Sequence, residues 1–290
     1  LEKNYNNYSI IMLKNNDKYK LYERYINVLK NVFYSMNIDN KNFIEMIDNI
    51  YDDKDKISDQ DLYNKFNEIY ETIDIKKETK VFDRENARSK QLLKFLKKIN
   101  KTDVERYLDF GGGDGSLTYT IKKSLKLKDE HVFITDIKKY DTIDLYNLNF
   151  VKNKNGEINL PENSFDLITC YMVFHHIKDD IQEKTIKQLY KLLKPGGILV
   201  LREHNVYFKE SYIRENVFAI LDIMHDIYDY ALESKLNWKD KGDYYSKYKS
   251  KREWNRLFTK NNFVNIYEPT FYNNIEKNLN LKYNTIYIKP

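Results

Sequence analysis

The sequence predicts a doubly wound α/β fold, and three observations predict it. From residue 104 onward, short apolar runs alternate with stretches of helical spacing. Those runs are continuously apolar, as suits parallel strands covered on both faces. A glycine-rich turn, Asp109-Phe110-Gly111-Gly112-Gly113-Asp114-Gly115, joins the first run to the helical stretch after it. Strand and helix in steady alternation build a mostly parallel sheet with helices on both sides.

Taken in order, residues 5–80 carry apolar side chains at helical spacing, as in Tyr22, Ile26, Leu29 and Phe33. They predict a helical N-terminal extension over 1–80, with a charged loop at 52–56. The main domain is expected over 81–290. A helix fits 84–99, with Leu92, Leu93, Phe95, Leu96 and Ile99 on its apolar side. Residues 106–110 read as a strand running into the glycine turn, 116–127 as a helix, and 131–136 and 164–170 as strands. Asp179 can cap the next helix, which turns Ile181, Ile186, Leu189 and Leu193 inward. Lys194-Pro195-Gly196-Gly197 stops that helix before the apolar strand 198–201. A helical insertion, about 206–260 with its helix over 210–232, precedes closing strands at 263–267 and 284–288.

A chain of 290 residues, 41% of them hydrophobic, can bury one large core or two modest ones. No apolar run approaches the roughly 20 residues a bilayer requires, which excludes a helical membrane span. The chain opens Leu-Glu-Lys and has no apolar signal segment, so it reads as a fragment. Cys170 is the single cysteine, so no internal disulfide forms; a reducing, cytoplasmic setting fits. Asn, Lys, Ile and Tyr are abundant throughout, as AT-rich coding produces, so position must carry the inference. Residues 1–80 hold 13 Lys/Arg against 15 Asp/Glu, a net of −2, which leaves +7 for the remainder. Residues 235–260 hold nine basic and three acidic side chains, a local +6 that suits an anionic partner.

The turn after the first strand must bring backbone close to a ligand and start a helix. Gly111, Gly113 and Gly115 lack side chains that would block the approach. The helix beyond can offer its amides to a negative group. Asp136 ends the second strand, 23 residues after Gly113, where a carboxylate can accept both hydroxyls of a ribose. A dinucleotide enzyme meets the same two criteria, and a tight turn without a ligand meets the first.

Further elements follow in order: Leu160-Pro161-Glu162-Asn163-Ser164-Phe165-Asp166-Leu167-Ile168, Phe174-His175-His176-Ile177, and Leu192-Leu193-Lys194-Pro195-Gly196-Gly197-Ile198-Leu199. With the glycine turn and Asp136, the set resembles the class I, Rossmann-like S-adenosylmethionine-dependent methyltransferases over roughly 84–201. The resemblance implies a seven-stranded sheet, S-adenosyl-L-methionine as cofactor, and methyl transfer as the reaction. It implies that Asp109 and the glycine backbone meet the methionine moiety. Asp136 would take the ribose, with Ile137 beside it in the cofactor-binding set. Gly156, Glu157 and Ile158 would lie near the adenine, and Cys170 and Tyr171 near the sulfonium. Many relatives have an Asp where Gly156 stands, so here Glu157 or a backbone group would receive the adenine amine. Asp114 keeps two readings, a helix N-terminal acid serving the dipole or a cofactor contact.

Methyl transfer from a sulfonium is an in-line displacement whose rate owes much to alignment. A base helps where the acceptor must lose a proton. Arg202-Glu203-His204-Asn205 follows the fifth strand, where open α/β sheets bind ligands. His204 or Glu203 can act as base or hydrogen-bond the acceptor, and Arg202 can hold an anionic group. The alternative is a salt-bridged strand end. Of His175 and His176 one packs and the other faces the pocket, with His175 the substrate-side candidate; the pair alone does not make a metal site. Asp222 and His225, at i and i+3, point into the acceptor pocket or pair on the surface. Residues 238–256 interleave bases with aromatics, Tyr244, Tyr245 and Tyr248 among them, a pattern that suits single-stranded nucleic acid. Trp254 is expected to pack with Leu257 and Phe258 in a helix.

Three functions stay open. One is an RNA methyltransferase, the mRNA cap included, acting on a base nitrogen, since no Asp follows the fourth strand in Thr169-Cys170-Tyr171-Met172-Val173. Another is a small-molecule methyltransferase whose N-terminal helices form a lid. The third is an inactive methyltransferase-like subunit that supports a protein partner, against which intact Gly111, Gly113 and Asp136 argue. The strand end, the insertion and the stretch 248–254 are faintly similar to methyltransferases of large DNA viruses. That similarity implies the cytoplasm of an infected host cell.

Overall fold

The computed structural model describes residues 84–204, 248–267 and 282–290, together with Glu45. All of these except Glu45 belong to one compact unit, built from Phe82–Val206, Lys247–Asn273 and Lys282–Pro290. Apart from Glu45, the expected extension over 1–80 lies outside the described residues, as do the insertion helix, Asn205, Asp222, His225, Tyr244 and Tyr245.

Within the described residues the elements run α1 (Arg84–Lys98), β1 (Tyr107–Phe110), α2 (Ser116–Leu125), β2 (Val132–Asp136), α3 (Thr142–Leu145) and β3 (Asn149–Lys152). They continue with β4 (Phe165–Tyr171), α4 (Asp179–Leu192), β5 (Leu193–His204), α5 (Lys251–Lys260), β6 (Val264–Tyr267) and β7 (Lys282–Ile288). The seven strands form one sheet in the order β3-β2-β1-β4-β5-β7-β6. Strands β3 to β5 pair in parallel, and β7 runs antiparallel to both β5 and β6. The predicted class is therefore the observed one, a doubly wound α/β sheet. Strand order reverses between β1 and β4, which opens a crevice beyond their carboxyl ends.

Alternation along each strand divides the core into two layers. Leu108, Phe110, Ile168, Cys170, Leu199 and Leu201 face one side, against Ile186 and Leu189 of α4 and Trp254 and Phe258 of α5. Tyr107, Leu167, Ile198 and Val200 face the other, against Leu92 and Leu96 of α1 and Ile121 of α2. Burial on both faces explains the continuously apolar strands.

Two local expectations need correction, and one strand was not anticipated. β5 begins at Leu193 and includes Lys194-Pro195-Gly196-Gly197. Gly196, at φ +75, donates its N–H to the Lys289 carbonyl (2.8 Å), and Lys289 donates back to Gly197 (3.0 Å), so pairing with the chain end recruits this segment into the sheet. Asp179 is the first residue of α4 rather than its cap, and its carboxylate holds Lys249 Nζ at 2.6 Å. β3 was not anticipated because an edge strand with exposed Asn149 and Lys152 lacks an apolar run. At the amino end of the sheet, Asp166 accepts the N–H groups of Glu105 (3.1 Å) and Arg106 (2.8 Å) and pairs with Lys194 at 2.7 Å. No helix among the described residues is long and apolar enough to cross a membrane.

Candidate active site

The glycines after β1 serve different ends. A Cβ on Gly111 would collide with the Val173 side chain, one on Gly112 would meet Ile134, and one on Gly115 would meet Ile143 and Leu148 at 2.8 Å. Gly113, at φ +56, faces open space, with nothing within 4 Å of an added Cβ. Its N–H donates to Asp136 Oδ2 at 3.0 Å, and the Ile137 N–H donates to Oδ1 at 2.7 Å. Burial raises the Asp136 carboxyl above the usual range, against the pull of these amides. Ile137 is 71% exposed beside it. A cradle open at Gly113 and an adjacent hydrogen-bonded carboxylate fit a ribose-bearing ligand.

The other expected cofactor residues have internal duties. Asp109 is buried, and its oxygens accept Thr118 Oγ1–H and Thr169 Oγ1–H, each at 2.7 Å. Burial pushes its carboxyl up to about 6, with those hydroxyls and Tyr107 opposing. This carboxylate also anchors β1 to α2 and β4. Asp114 accepts the Ser116 N–H (3.0 Å) and hydroxyl (2.7 Å) at the start of α2, which favours the helix reading. Gly156, at φ +81, forms a tight turn with Asn155 at φ +50, closed by reciprocal bonds of 3.0 Å between Lys154 and Glu157. That geometry demands glycine. The exposed Glu157 carboxylate holds Lys184 Nζ at 2.7 Å, which lowers its pKa. Cys170 packs wholly within the core, and burial drives its thiol pKa well up. Tyr171 is half-buried, its hydroxyl pushed up by burial against the pull of Arg202 and Arg88.

Beyond β5 the expected triad divides. Arg202 follows Ile198 and Val200 on one face, where its Nη1 donates to Gln91 Oε1 of α1 at 3.0 Å. Glu203 lies on the opposite face, fully buried, and accepts the Phe174 N–H at 2.8 Å. Its other oxygen lies 2.7 Å from His175 Nδ1. A carboxylate only accepts, so Nδ1 carries the hydrogen. Glu203 thereby ties β5 to the bend after β4. His175 is buried, while His176 is exposed. The His175 ring stacks on Tyr248 (4.5 Å between centroids, 19°), and His204 meets Tyr248 edge-on at 5.0 Å. Glu203, His175, His204 and Tyr248 thus come together at the carboxyl ends of β4 and β5. Period-two alternation, which motif reading ignores, sends Arg202 elsewhere.

The described part of the basic stretch differs from a stacking platform. Tyr248 and Trp254 are buried, as the packing of Trp254 with Phe258 predicts. Lys249 pairs with Asp179, and Lys260 with Glu183 at 2.8 Å.

Residues 82–268 match a family described as a methyltransferase domain, close to two thirds of the chain. The chain belongs to that family. It carries a methyltransferase domain of the S-adenosyl-L-methionine-dependent class, with S-adenosyl-L-methionine as cofactor. It is 28% identical over 142 residues to a ubiquinone/menaquinone biosynthesis C-methyltransferase of Vibrio vulnificus, covering 46% of this chain and 50% of that protein. A tRNA N(3)-cytidine methyltransferase of Danio rerio is 28% identical over 161 residues, 45% of each chain. The chain thus spans about half the length of the curated relatives it matches. Among solved structures, the PH0226 protein of Pyrococcus horikoshii shares the fold at TM-score 0.50 and 17% identity, over 73% of this chain and 94% of that one.

The segments after β3 and β4 also carry features that no motif announces. Met172, at φ +64, occupies the left-handed region immediately after β4 and donates its N–H to the Arg202 carbonyl at 2.8 Å. A side chain there costs about 1–2 kcal/mol, and such strain collects at functional sites. Val173 seats against Gly111. Asn153 donates its N–H to the Asp136 carbonyl (2.8 Å) and accepts the Gly156 N–H through Oδ1 (2.9 Å). No local pattern in Thr169-Cys170-Tyr171-Met172-Val173 announces the bend.

Proposed function

We propose that the protein is an active S-adenosylmethionine-dependent methyltransferase whose acceptor is a small molecule. The observation that carries the reading is the buried group of Glu203, His175, His204 and Tyr248 at the ends of β4 and β5. Buried polar and aromatic side chains at these strand ends would back an acceptor enclosed beside them rather than one laid along a surface. On the donor side, Gly113 and Asp136 would hold the cofactor, with Ile137 beside the ribose position. The cofactor supplies an electrophilic methyl group. The chain has to bind it, align the acceptor and keep water out.

An RNA acceptor, the mRNA cap included, is the competing reading, and the relative named as a tRNA methyltransferase favours it. Its support within 248–260 is weaker than the sequence suggested, because aromatics are buried and lysines are paired there. The division into an extension over 1–80 and a domain over 81–290, a lid or partner role for the extension, the likeness to viral methyltransferases and a cytoplasmic location belong to this proposal as expectations.

Labelled S-adenosylmethionine incubated with separate pools of small metabolites, capped RNA and protein tests the acceptor. Label is expected in the small-metabolite pool, and label confined to RNA overturns the reading. Gly113→Val tests the donor site: calorimetric binding of S-adenosylmethionine should fall at least about a hundredfold, with a folding cost of about 1–2 kcal/mol from φ alone. Unchanged binding would remove Gly113 from the site.

A further inference from the structure

The bend between β4 and α4 joins the two halves of the site. Met172 turns the chain through a left-handed conformation, and Val173 then lies over the Cα of Gly111, where a Cβ would collide with it. Gly111 itself is at φ +70 and donates its N–H to the Thr135 carbonyl at 2.7 Å. Two residues on, Gly113 faces open space and donates to Asp136. Val173 therefore packs on the segment whose backbone forms the cradle.

A strained bend persists when its surroundings over-determine it. Glu203 contributes such a restraint from the next strand. One oxygen takes the N–H of Phe174, directly after Val173, at 2.8 Å, and the other takes the Nδ1–H of His175 at 2.7 Å. Tyr248 and His176 flank the imidazole, at 4.5 and 4.1 Å between ring centroids. From α4, Gln182 Nε2 donates to the carbonyls of Phe174 (3.2 Å) and Ile177 (2.8 Å). A carboxylate wholly inside the protein makes charge-assisted bonds, which are stronger than those of a neutral donor and acceptor.

We propose that Glu203 is a positioning residue for the cofactor turn: by holding Phe174 and His175 it seats Val173 on Gly111 and so keeps the Gly113 cradle in its binding geometry. Strand β5 thereby bears on cofactor affinity without touching the cofactor. The inference rests on the proposed Gly113–Asp136 cofactor site.

Calorimetry with S-adenosylmethionine on the full chain tests it without knowledge of the acceptor, with circular dichroism to verify folding. Glu203→Ala should weaken binding roughly tenfold or more, since two buried donors lose their acceptor. Glu203→Gln keeps an oxygen for the Phe174 N–H but turns an N–H toward His175 Nδ1, so its affinity should fall between those of the wild type and Glu203→Ala. Val173→Ala, which removes the packing on Gly111 at little risk to the fold, should weaken binding about threefold to tenfold. The Glu203→Ala/Val173→Ala double variant should bind about as weakly as Glu203→Ala alone, because both changes act on one contact. Wild-type affinity in a folded Glu203→Ala chain overturns the proposal, and so does unchanged affinity in Val173→Ala, which decides the matter if Glu203→Ala does not fold. A purely structural Glu203 would lower the melting temperature and leave the affinity of the folded protein intact. Absence of binding in the wild type instead overturns the cofactor site on which the inference stands.

Discussion

Two carboxylates at opposite ends of the sheet are each held by backbone amides, yet they behave differently. Asp166, at the amino end, accepts from Glu105 and Arg106 and also pairs with Lys194. Burial acts to raise its pKa, but Lys194 and the amides more than offset that, so the carboxyl lies below its usual range. Asp136, at the carboxyl end, accepts from Gly113 and Ile137, and there burial prevails. One end of the sheet is a completed joint. The other keeps a partly desolvated carboxylate that further hydroxyl donors would stabilise, the condition expected of a binding position.

The largest effect that would sharpen this contrast concerns Asp109, a buried carboxylate served by hydroxyls. Its pKa is raised from 3.8 to about 6, so its stabilising contribution is complete below about pH 4 and is lost as pH rises through about 6. That interval corresponds to roughly 3 kcal/mol. Urea unfolding near pH 4.5 and near pH 7.5 should show Asp109→Asn losing less stability across the interval than the wild type. Equal losses would mean that Asp109 does not titrate there. Next, Asp166→Ala should cost about 2–3 kcal/mol by chemical denaturation, since two amides and Lys194 lose their acceptor, while S-adenosylmethionine affinity stays within about twofold. Asp136→Ala should weaken binding by roughly tenfold or more in calorimetry and cost less stability than Asp166→Ala, because burial already opposes its charge. If Asp166→Ala weakens binding as much as Asp136→Ala does, the contrast between the two ends fails. The smallest effect belongs to Glu157→Ala. An exposed ion pair with Lys184 is worth less than about 1 kcal/mol, and cofactor affinity should be unchanged. A clear loss of affinity would place Glu157 on the adenine side.

The backbone geometry around the glycine turn was legible because its signals are local. Strand β1, the glycine turn, α2 and Asp136 lie within 30 residues, and each glycine answers to backbone geometry. The acceptor side depends on what strand pairing brings together. Arg202, Glu203 and His204 look like one cluster in the chain, but alternation separates Arg202 from Glu203, and His175 and Tyr248 arrive from distant segments. Lys194-Pro195-Gly196-Gly197 read as a helix stop because its partner, Lys289, stands almost a hundred residues away. The Ser250–Glu253 capping box of α5, by contrast, was visible in Ser250-Lys251-Arg252-Glu253 and was passed over for the basic charges around it.

The placement of β7 bears on how the molecule is made. Strand β5 pairs along Ile198–His204 with Lys282–Ile288, so its second edge is covered by residues that follow 78 positions after His204. During vectorial synthesis the five parallel strands can assemble first and leave β5 as an apolar rim with unsatisfied amides until the last strand emerges. The nascent protein thus passes through an aggregation-sensitive interval that ends when β7 inserts between β5 and β6. Removal of 282–290 would make that interval permanent.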